Sequence, residues 1–398
     1  MDILIIHFCH SHRGDMMHPD IFDIEFNPNK YLAHWDRLNA LAQGNDASPV
    51  TLELDVSSAC DHRCQWCVDP PGIHTGIFMP LSTARRILHE AKAIGVKGVV
   101  FKGGGECTLH PDFPQILRIA DEIGFEVGMV THGGHLTTEI VDAAADGCEY
   151  VRISVDGPTP ESRKDIHGVD DLASVIAGTR RLISRRGSKR HPIIGLTFCL
   201  DYKRHHLIGR CLELGELIKP DYLLIRPPFC EEVGFPAPHT PEEAAMLREE
   251  MLMAAEGCQG EVPVLIGKWI GDKELENKTS MSSMGLSRRD INIMNLKYNG
   301  IEHLSHRCPA CSLLLVVTAG REVYGCCCLR GIKEFMFGKI DHERNTGLWD
   351  VMSGDKHREA LDRMKRAECL KYCTHPLSKP NEIIEYLSRK DKYHSSFI

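Results

Sequence analysis

The sequence has no excess of positive charge: 47 Lys and Arg stand against 55 Asp and Glu, a net charge of −8. That balance gives no electrostatic reason to expect nucleic acid or an anionic membrane surface as a partner. The basic stretch RRLISRRGSKRH at Arg180–His191 reads as a solvated helix end. Long hydrophobic runs are also missing, and nothing approaches the roughly 18 apolar residues of a membrane helix. The opening MDILIIHFCH has no basic segment before its apolar run and no small-residue cleavage site after it, which argues against a secretory signal. No fixed-period repeat is present. These absences lead us to expect a soluble globular protein of the cytoplasm, with neither nucleic acid nor membrane as partner.

Cysteine, by contrast, is abundant. Seventeen of 398 residues are Cys, gathered mainly at Cys60–Cys67, Cys308–Cys328 and Cys369–Cys373. In a large chain without a signal peptide, such clusters point to metal or redox chemistry rather than disulfides.

From about residue 49 the pattern alternates short β-branched runs with longer amphipathic ones. TLELDV precedes LSTARRILHEAKAIG, GVVFKGG precedes DFPQILRIADEIG, and EVGMVT precedes TTEIVDAAADG. YVRISVDG, PIIGLTFCL and YLLIRPPF continue the series, the last followed by TPEEAAMLREEMLMAAEG. In the first helical run Ile87, Leu88, Ala91 and Ile94 share one face, Ser82 is placed to cap the start and Gly95 to end it. Six strand–helix units imply a parallel sheet with right-handed crossovers, an α/β fold of partial (β/α)6 barrel type. We expect an N-terminal extension over 1–48 containing a helix within NPNKYLAHWDRLNALAQG, a core over 49–260, a linker or lid over 261–307, and a small cysteine-rich domain over 308–398.

The chemistry starts at CDHRCQWC, Cys60–Cys67, directly after the first strand. Three thiolates leave one coordination position of a metal centre open, and His62 inside the loop can close it in a zinc site. Alternatively, a four-iron cluster on three cysteines keeps one iron free to bind a ligand. The spacing C-x3-C-x2-C, with Trp66 before the last cysteine, resembles the signature of the radical S-adenosylmethionine (radical SAM) enzymes. That resemblance implies a 4Fe–4S cluster on Cys60, Cys64 and Cys67. It also implies S-adenosylmethionine on the open iron, an electron donor such as flavodoxin or ferredoxin, and release of a 5′-deoxyadenosyl radical.

Further candidates sit at strand ends, where parallel barrels carry their functional groups. After the second strand, KGGGECTLHP offers glycines for close backbone approach and a carboxylate for an ammonium group. By the resemblance, Gly104, Gly105 and Glu106 meet the methionine amino group; the rival reading is a turn that needs glycine. In VTHGG, His132 replaces the Asn usual in relatives and reads as a turn histidine. Ser154 and Asp156 of RISVDG, two apart, share one strand face, and the resemblance implies that this strand end meets the ribose or the methionine carboxylate, although Asp156 before Gly157 also suits a turn. Arg226 can pair with a cofactor or substrate carboxylate, or serve a surface ion pair. Cys199 and Cys230 are candidate hydrogen donors, with a buried core thiol the rival reading for Cys199.

In the tail, LLLVV and REVYG flank Ala319-Gly320 as a hairpin would, bringing cysteines together before and after it. With Gly-Lys-Ile and Trp349 between this hairpin and Cys369, the region is similar to the SPASM and shorter twitch auxiliary-cluster domains. That similarity implies a second 4Fe–4S cluster on Cys308, Cys326, Cys369 and Cys373, with Cys311, Cys327 and Cys328 as spare ligands and a zinc ribbon as rival. An auxiliary cluster can accept an electron from a substrate radical. Together with the lack of a preceding winged-helix module, it leads us to expect oxidation of a small polar metabolite such as a carbohydrate or aminocyclitol alcohol. Sugar epimerisation or dehydration, peptide modification, and a non-catalytic iron–sulfur or zinc protein are the alternatives.

Overall fold

A computed structural model of the protein describes residues 3–5, 28–67, 69, 73–226, 262, 264–267, 308–366, 368–369 and 378–388. The expected helix in TPEEAAMLREEMLMAAEG, most of 261–307, and the candidates Cys230 and Cys373 lie outside the described residues.

The alternation of apolar runs becomes strands β2 (Thr51–Leu54), β3 (Gly98–Phe101), β4 (Glu126–Thr131), β5 (Tyr150–Ser154), β6 (Ile193–Cys199) and β7 (Tyr222–Arg226), preceded by an edge strand β1 (Ile3–Ile5). Strands β2 to β7 are parallel neighbours in sequence order. Their register aligns Leu52, Val99, Val127 and then Met129, Val151 across the sheet, so buried β-branched and apolar residues stack in rows. A further strand, β8 (Val264–Gly267), lies parallel to β7, and β1 runs antiparallel to it at the edge. The segment expected to be a linker therefore begins with a strand. VPVLIG carries only four residues of it, too short a run to announce a strand without a periodic helix after it.

Helix α1 (Trp35–Ala42) precedes the core, and α2 (Leu81–Ala93), α3 (Phe113–Glu122), α4 (Thr138–Gly147), α5 (Pro160–His167), α6 (Leu172–Arg186) and α7 (Ile208–Ile218) supply the crossovers. α2 buries Ala84, Ile87, Leu88 and Ala91, as the periodicity predicts. Its start differs: the helix begins at Leu81 behind Pro80 with no side-chain cap, because Ser82 already sits in the first turn. Gly95 follows the end at φ +97°, a left-handed residue of the kind glycine accepts freely.

The tail joins the same sheet. β9 (Leu314–Val317) pairs parallel to β2, and β10 (Glu322–Tyr324) and β11 (Met336–Lys339) follow antiparallel, which bears out the hairpin around Ala319-Gly320. Leu315, Val316, Val317 and Val323 are fully buried in one cluster with Leu52 and Leu54. Each such side chain contributes about 1.5–3 kcal/mol, so core and tail share a hydrophobic core. Helices α8 (Leu348–Ser353), α9 (Asp355–Lys365) and α10 (Ser378–Ser388) complete the described tail. α1 packs there through Leu38 and Leu41 against Ala310, Leu313 and Ile384.

A buried ion network reinforces the joint. Arg330 donates twice to Asp55 (2.7 and 3.0 Å), once to Glu53 (3.1 Å) and to the Cys327 carbonyl (3.1 Å), and lies 3.7 Å from Asp69. Lys102 pairs with the other oxygen of Glu53 at 2.7 Å. Three carboxylates thus share two cations, and burial pushes the Asp55 carboxyl up to about 7 against the pull of Arg330. A carboxyl raised in the folded state stabilises the fold fully below its unfolded value and loses that contribution as pH rises through the folded one. Between about pH 4 and 7 the native protein should therefore lose more stability in urea unfolding than Asp55→Asn does. Parallel pH profiles would contradict this assignment.

Candidate cluster-binding site

The cysteine loop hangs from the end of β2 and is fastened along its length. Ser58 N–H donates to the Ile77 carbonyl (2.8 Å), Arg63 N–H to that of His167 (2.8 Å), and Gln65 N–H to that of Ile166 (3.0 Å). Cys67 N–H closes a turn on the Cys64 carbonyl (3.3 Å). Cys60, Cys64 and Cys67 are thiols outside any disulfide, and all three are half-buried. Burial pushes the Cys60 thiol up to about 12 and Cys64 higher, and the charge of Cys67 adds to both shifts. Thiols so buried are protonated, and binding a metal there would release their protons.

The glycines of KGGGE are set by what approaches them. A Cβ on Gly105 would lie 2.5 Å from the Ala59 carbonyl oxygen, and Glu106 N–H donates to that same oxygen at 2.7 Å. Gly104 has φ +68°, and its N–H donates to Asp69 Oδ2 (3.0 Å). The element therefore carries the cysteine loop on its back. Glu106 is buried; Oε1 accepts from Thr108 N–H (3.0 Å), Thr108 Oγ1 (2.7 Å) and Thr131 Oγ1 (2.6 Å), and Oε2 from His132 N–H (3.0 Å). Burial works against its charge, but His132 and these donors hold the carboxyl below the usual range.

His132 is more than a turn residue. Its ring is buried, stacks on His62 with centroids 3.6 Å apart, and reaches Asp61 at 3.1 Å. His62, the expected fourth ligand of a zinc site, uses Nδ1 toward His167 (3.1 Å) and Nε2 toward Asp171 (3.1 Å). Asp156 departs from the strand alternation because β5 ends at Ser154 and Asp156 has φ +55°. Its Oδ1 accepts from Cys199 N–H (2.8 Å) and its Oδ2 lies 3.2 Å from His167 Nε2. Ser154 is half-buried, with its carbonyl held by Arg163 (3.0 Å). Arg226 pairs in register with Cys199 at the ends of β7 and β6. Cys199 packs with Trp66 and Ile166, and burial pushes its thiol up to about 12, as for a core cysteine.

Sequence reasoning missed Arg163, His167 and Asp171. Arg163 is fully buried and ties Ser154 O, Val155 O, His132 O and Asp171 together. The signal available was RKDIH, an arginine and a histidine four apart on one helix face.

In the tail, the Cys311 thiol and the Asn381 amide donate to Cys308 and draw its thiol below the usual range. Burial pushes Cys369 up to about 11, with added effect from Cys308 and Cys328. The sulfurs of Cys326, Cys327 and Cys328 lie within 4.8 Å of one another. The expected ligands Cys308, Cys326 and Cys369 thus belong to one cysteine-rich region, with Cys311 and Cys328 inside it.

The Radical SAM superfamily profile matches residues 54–198, the strands and loops that build this site. Over those residues the chain is similar to a radical SAM domain. Among curated relatives, PqqA peptide cyclase of Ruegeria pomeroyi is 29% identical over 176 residues, 42% of this chain and 44% of that protein. A probable GTP 3′,8-cyclase of Metallosphaera sedula is 32% identical over 175 residues, 43% of this chain and 53% of that protein. The chain thus spans about half the length of the curated relatives it matches. Streptococcus suis SuiB bound to precursor peptide SuiA has a similar fold: TM-score 0.59, 15% identity, 85% of this chain and 72% of that one. Radical SAM proteins use a 4Fe–4S cluster and S-adenosylmethionine, and the three half-buried thiols fit such a cluster. No described helix is long and apolar enough to cross a membrane.

Proposed function

We propose that the protein is a radical SAM enzyme that oxidatively modifies a peptide, with an auxiliary cluster in its cysteine-rich tail. The observation that carries the enzymatic reading is the Cys60, Cys64 and Cys67 loop at the end of β2, backed by the glycines of KGGGE. Bound there, the cluster and S-adenosylmethionine supply a 5′-deoxyadenosyl radical on one-electron reduction. The chain's own part is to hold and orient. Cys60, Cys64 and Cys67 hold the cluster, Gly104, Gly105 and Glu106 shape the methionine end, and Ser154 and Arg226 line neighbouring strand ends. Cys308, Cys326 and Cys369 hold the auxiliary cluster, with Cys328 and Cys311 placed to substitute.

The sequence alone favoured a small polar metabolite. The names of the relatives support a peptide instead, since PqqA peptide cyclase and SuiB with its precursor peptide both carry one. The GTP 3′,8-cyclase relative keeps a small-molecule substrate as the second reading. The test is anaerobic turnover with S-adenosylmethionine, reductant, and short peptides encoded beside the gene. Loss of two hydrogens from one peptide, matched by 5′-deoxyadenosine, is the expected result. Turnover driven by a nucleotide, sugar or aminocyclitol, with every peptide returned unchanged, would replace the peptide reading.

A further inference from the structure

Cys64 has a histidine ring nitrogen against its sulfur. His167, the last residue of α5, places Nδ1 3.1 Å from Cys64 Sγ. The same Nδ1 lies 3.1 Å from His62 Nδ1, and two ring nitrogens at that distance need one proton between them. The proton can be assigned to a ring. Asp171 accepts from His62 Nε2 at 3.1 Å, and Asp171 is itself held by Arg163 at 2.7 Å. With its proton on Nε2, His62 offers a lone pair at Nδ1, so the proton belongs to His167 Nδ1. That N–H is shared between the His62 lone pair and the Cys64 sulfur. His167 Nε2 faces Arg163 Nη1 at 3.4 Å, a group that can only donate, beside Asp156 Oδ2 at 3.2 Å; accepting there leaves the ring's proton on Nδ1.

We propose that His167 is a positioning residue that donates a hydrogen bond to the Cys64 sulfur and thereby raises the reduction potential of the cluster held there. The inference rests on the reading that Cys64 is a cluster ligand. A hydrogen bond to a ligand sulfur favours the electron-rich, reduced cluster, so its loss makes reduction harder. His62 competes for the same proton. Removing His62 nitrogen therefore acts in the opposite direction from removing His167, a pattern that a merely structural role does not produce.

The alternative use of these atoms is a zinc site, because donor atoms of His62, Cys64 and His167 lie within 4.8 Å of one another. Against it, His62 Nε2 already donates to Asp171, and the facing Nδ1 atoms share one proton.

The experiment is an anaerobic, mediator-equilibrated redox titration with dithionite, followed by electron paramagnetic resonance, on the reconstituted full-length protein. The signal that changes on addition of S-adenosylmethionine marks the loop cluster and separates it from any tail cluster. Without S-adenosylmethionine, His167→Leu should lower the reduced-to-oxidised ratio at a fixed potential about tenfold, which is 59 mV for one electron. His167→Asn, which keeps an N–H at the Nδ1 position, should stay near the native value, and His62→Phe should shift the other way. Iron content is measured beside each titration. Equal potentials in His167→Leu and the native protein, with a signal that still responds to S-adenosylmethionine, would overturn this inference alone. So would zinc retained by the iron-free native protein and lost in His167→Leu. A native protein with no responsive signal would overturn the radical SAM reading together with it.

Discussion

Arg330→Ala is expected to cost the folded protein about 3–5 kcal/mol, the range for removing one partner of a buried ion pair. Arg330 is 2% exposed and is bonded to Asp55 and Glu53, with Asp69 close by. Without it, Lys102 alone faces three buried acids. The effect should also reach the cysteine loop, since Asp69 accepts from Gly104 N–H and the Arg330 guanidinium lies 2.6 Å from where a Cβ on Gly103 would be. Urea unfolding measures it. Adding Asp55→Asn to Arg330→Ala should recover part of the loss, because one uncompensated charge is then gone. A loss below about 1 kcal/mol would place the network among ion pairs that contribute little.

The ease of reading this sequence varied with how local the determinants were. The parallel core was legible because both faces of each strand are covered and the runs are short, apolar and bounded by amphipathic helices. The three cysteines were legible because eight consecutive positions carry the whole pattern. Strand β8 was not, since four residues after a proline carry too little periodicity. Arg330 and Glu53 lie 277 positions apart, and a buried ion network joining them leaves no local signature. The histidine cluster was half visible. His62 and His132 drew notice singly, as a rival ligand and as a turn residue, but their stacking follows from the packing of two strand-end loops against α5. Asp156 shows the opposite failure: strand alternation was extended two positions past the end of β5, and its φ of +55° fits the turn that Asp-Gly also suggested.

Changing Cys60, Cys64 and Cys67 together to Ala should remove about four irons per chain after anaerobic reconstitution and abolish all cleavage of S-adenosylmethionine. The three thiols are half-buried on a surface loop, so the substitutions remove little packing, and the fold should survive, with far-UV circular dichroism unchanged. Iron left in this variant then reports the tail. About four remaining irons would support an auxiliary cluster at Cys308, Cys326 or Cys328, and Cys369, and with it oxidation by electron transfer to that cluster. If no iron remained and zinc took its place, the tail would be structural, and redox-neutral chemistry such as epimerisation would become the better reading.

On the radical SAM reading the loop after β2 supports reductive cleavage of S-adenosylmethionine. The most direct test is to incubate the anaerobically reconstituted protein with S-adenosylmethionine and dithionite and to measure 5′-deoxyadenosine by liquid chromatography, beside the Cys60, Cys64 and Cys67 triple variant. The native protein should yield 5′-deoxyadenosine and the variant none above the enzyme-free background. Equal amounts from both, or none from a native protein that holds its full complement of iron, would contradict that reading.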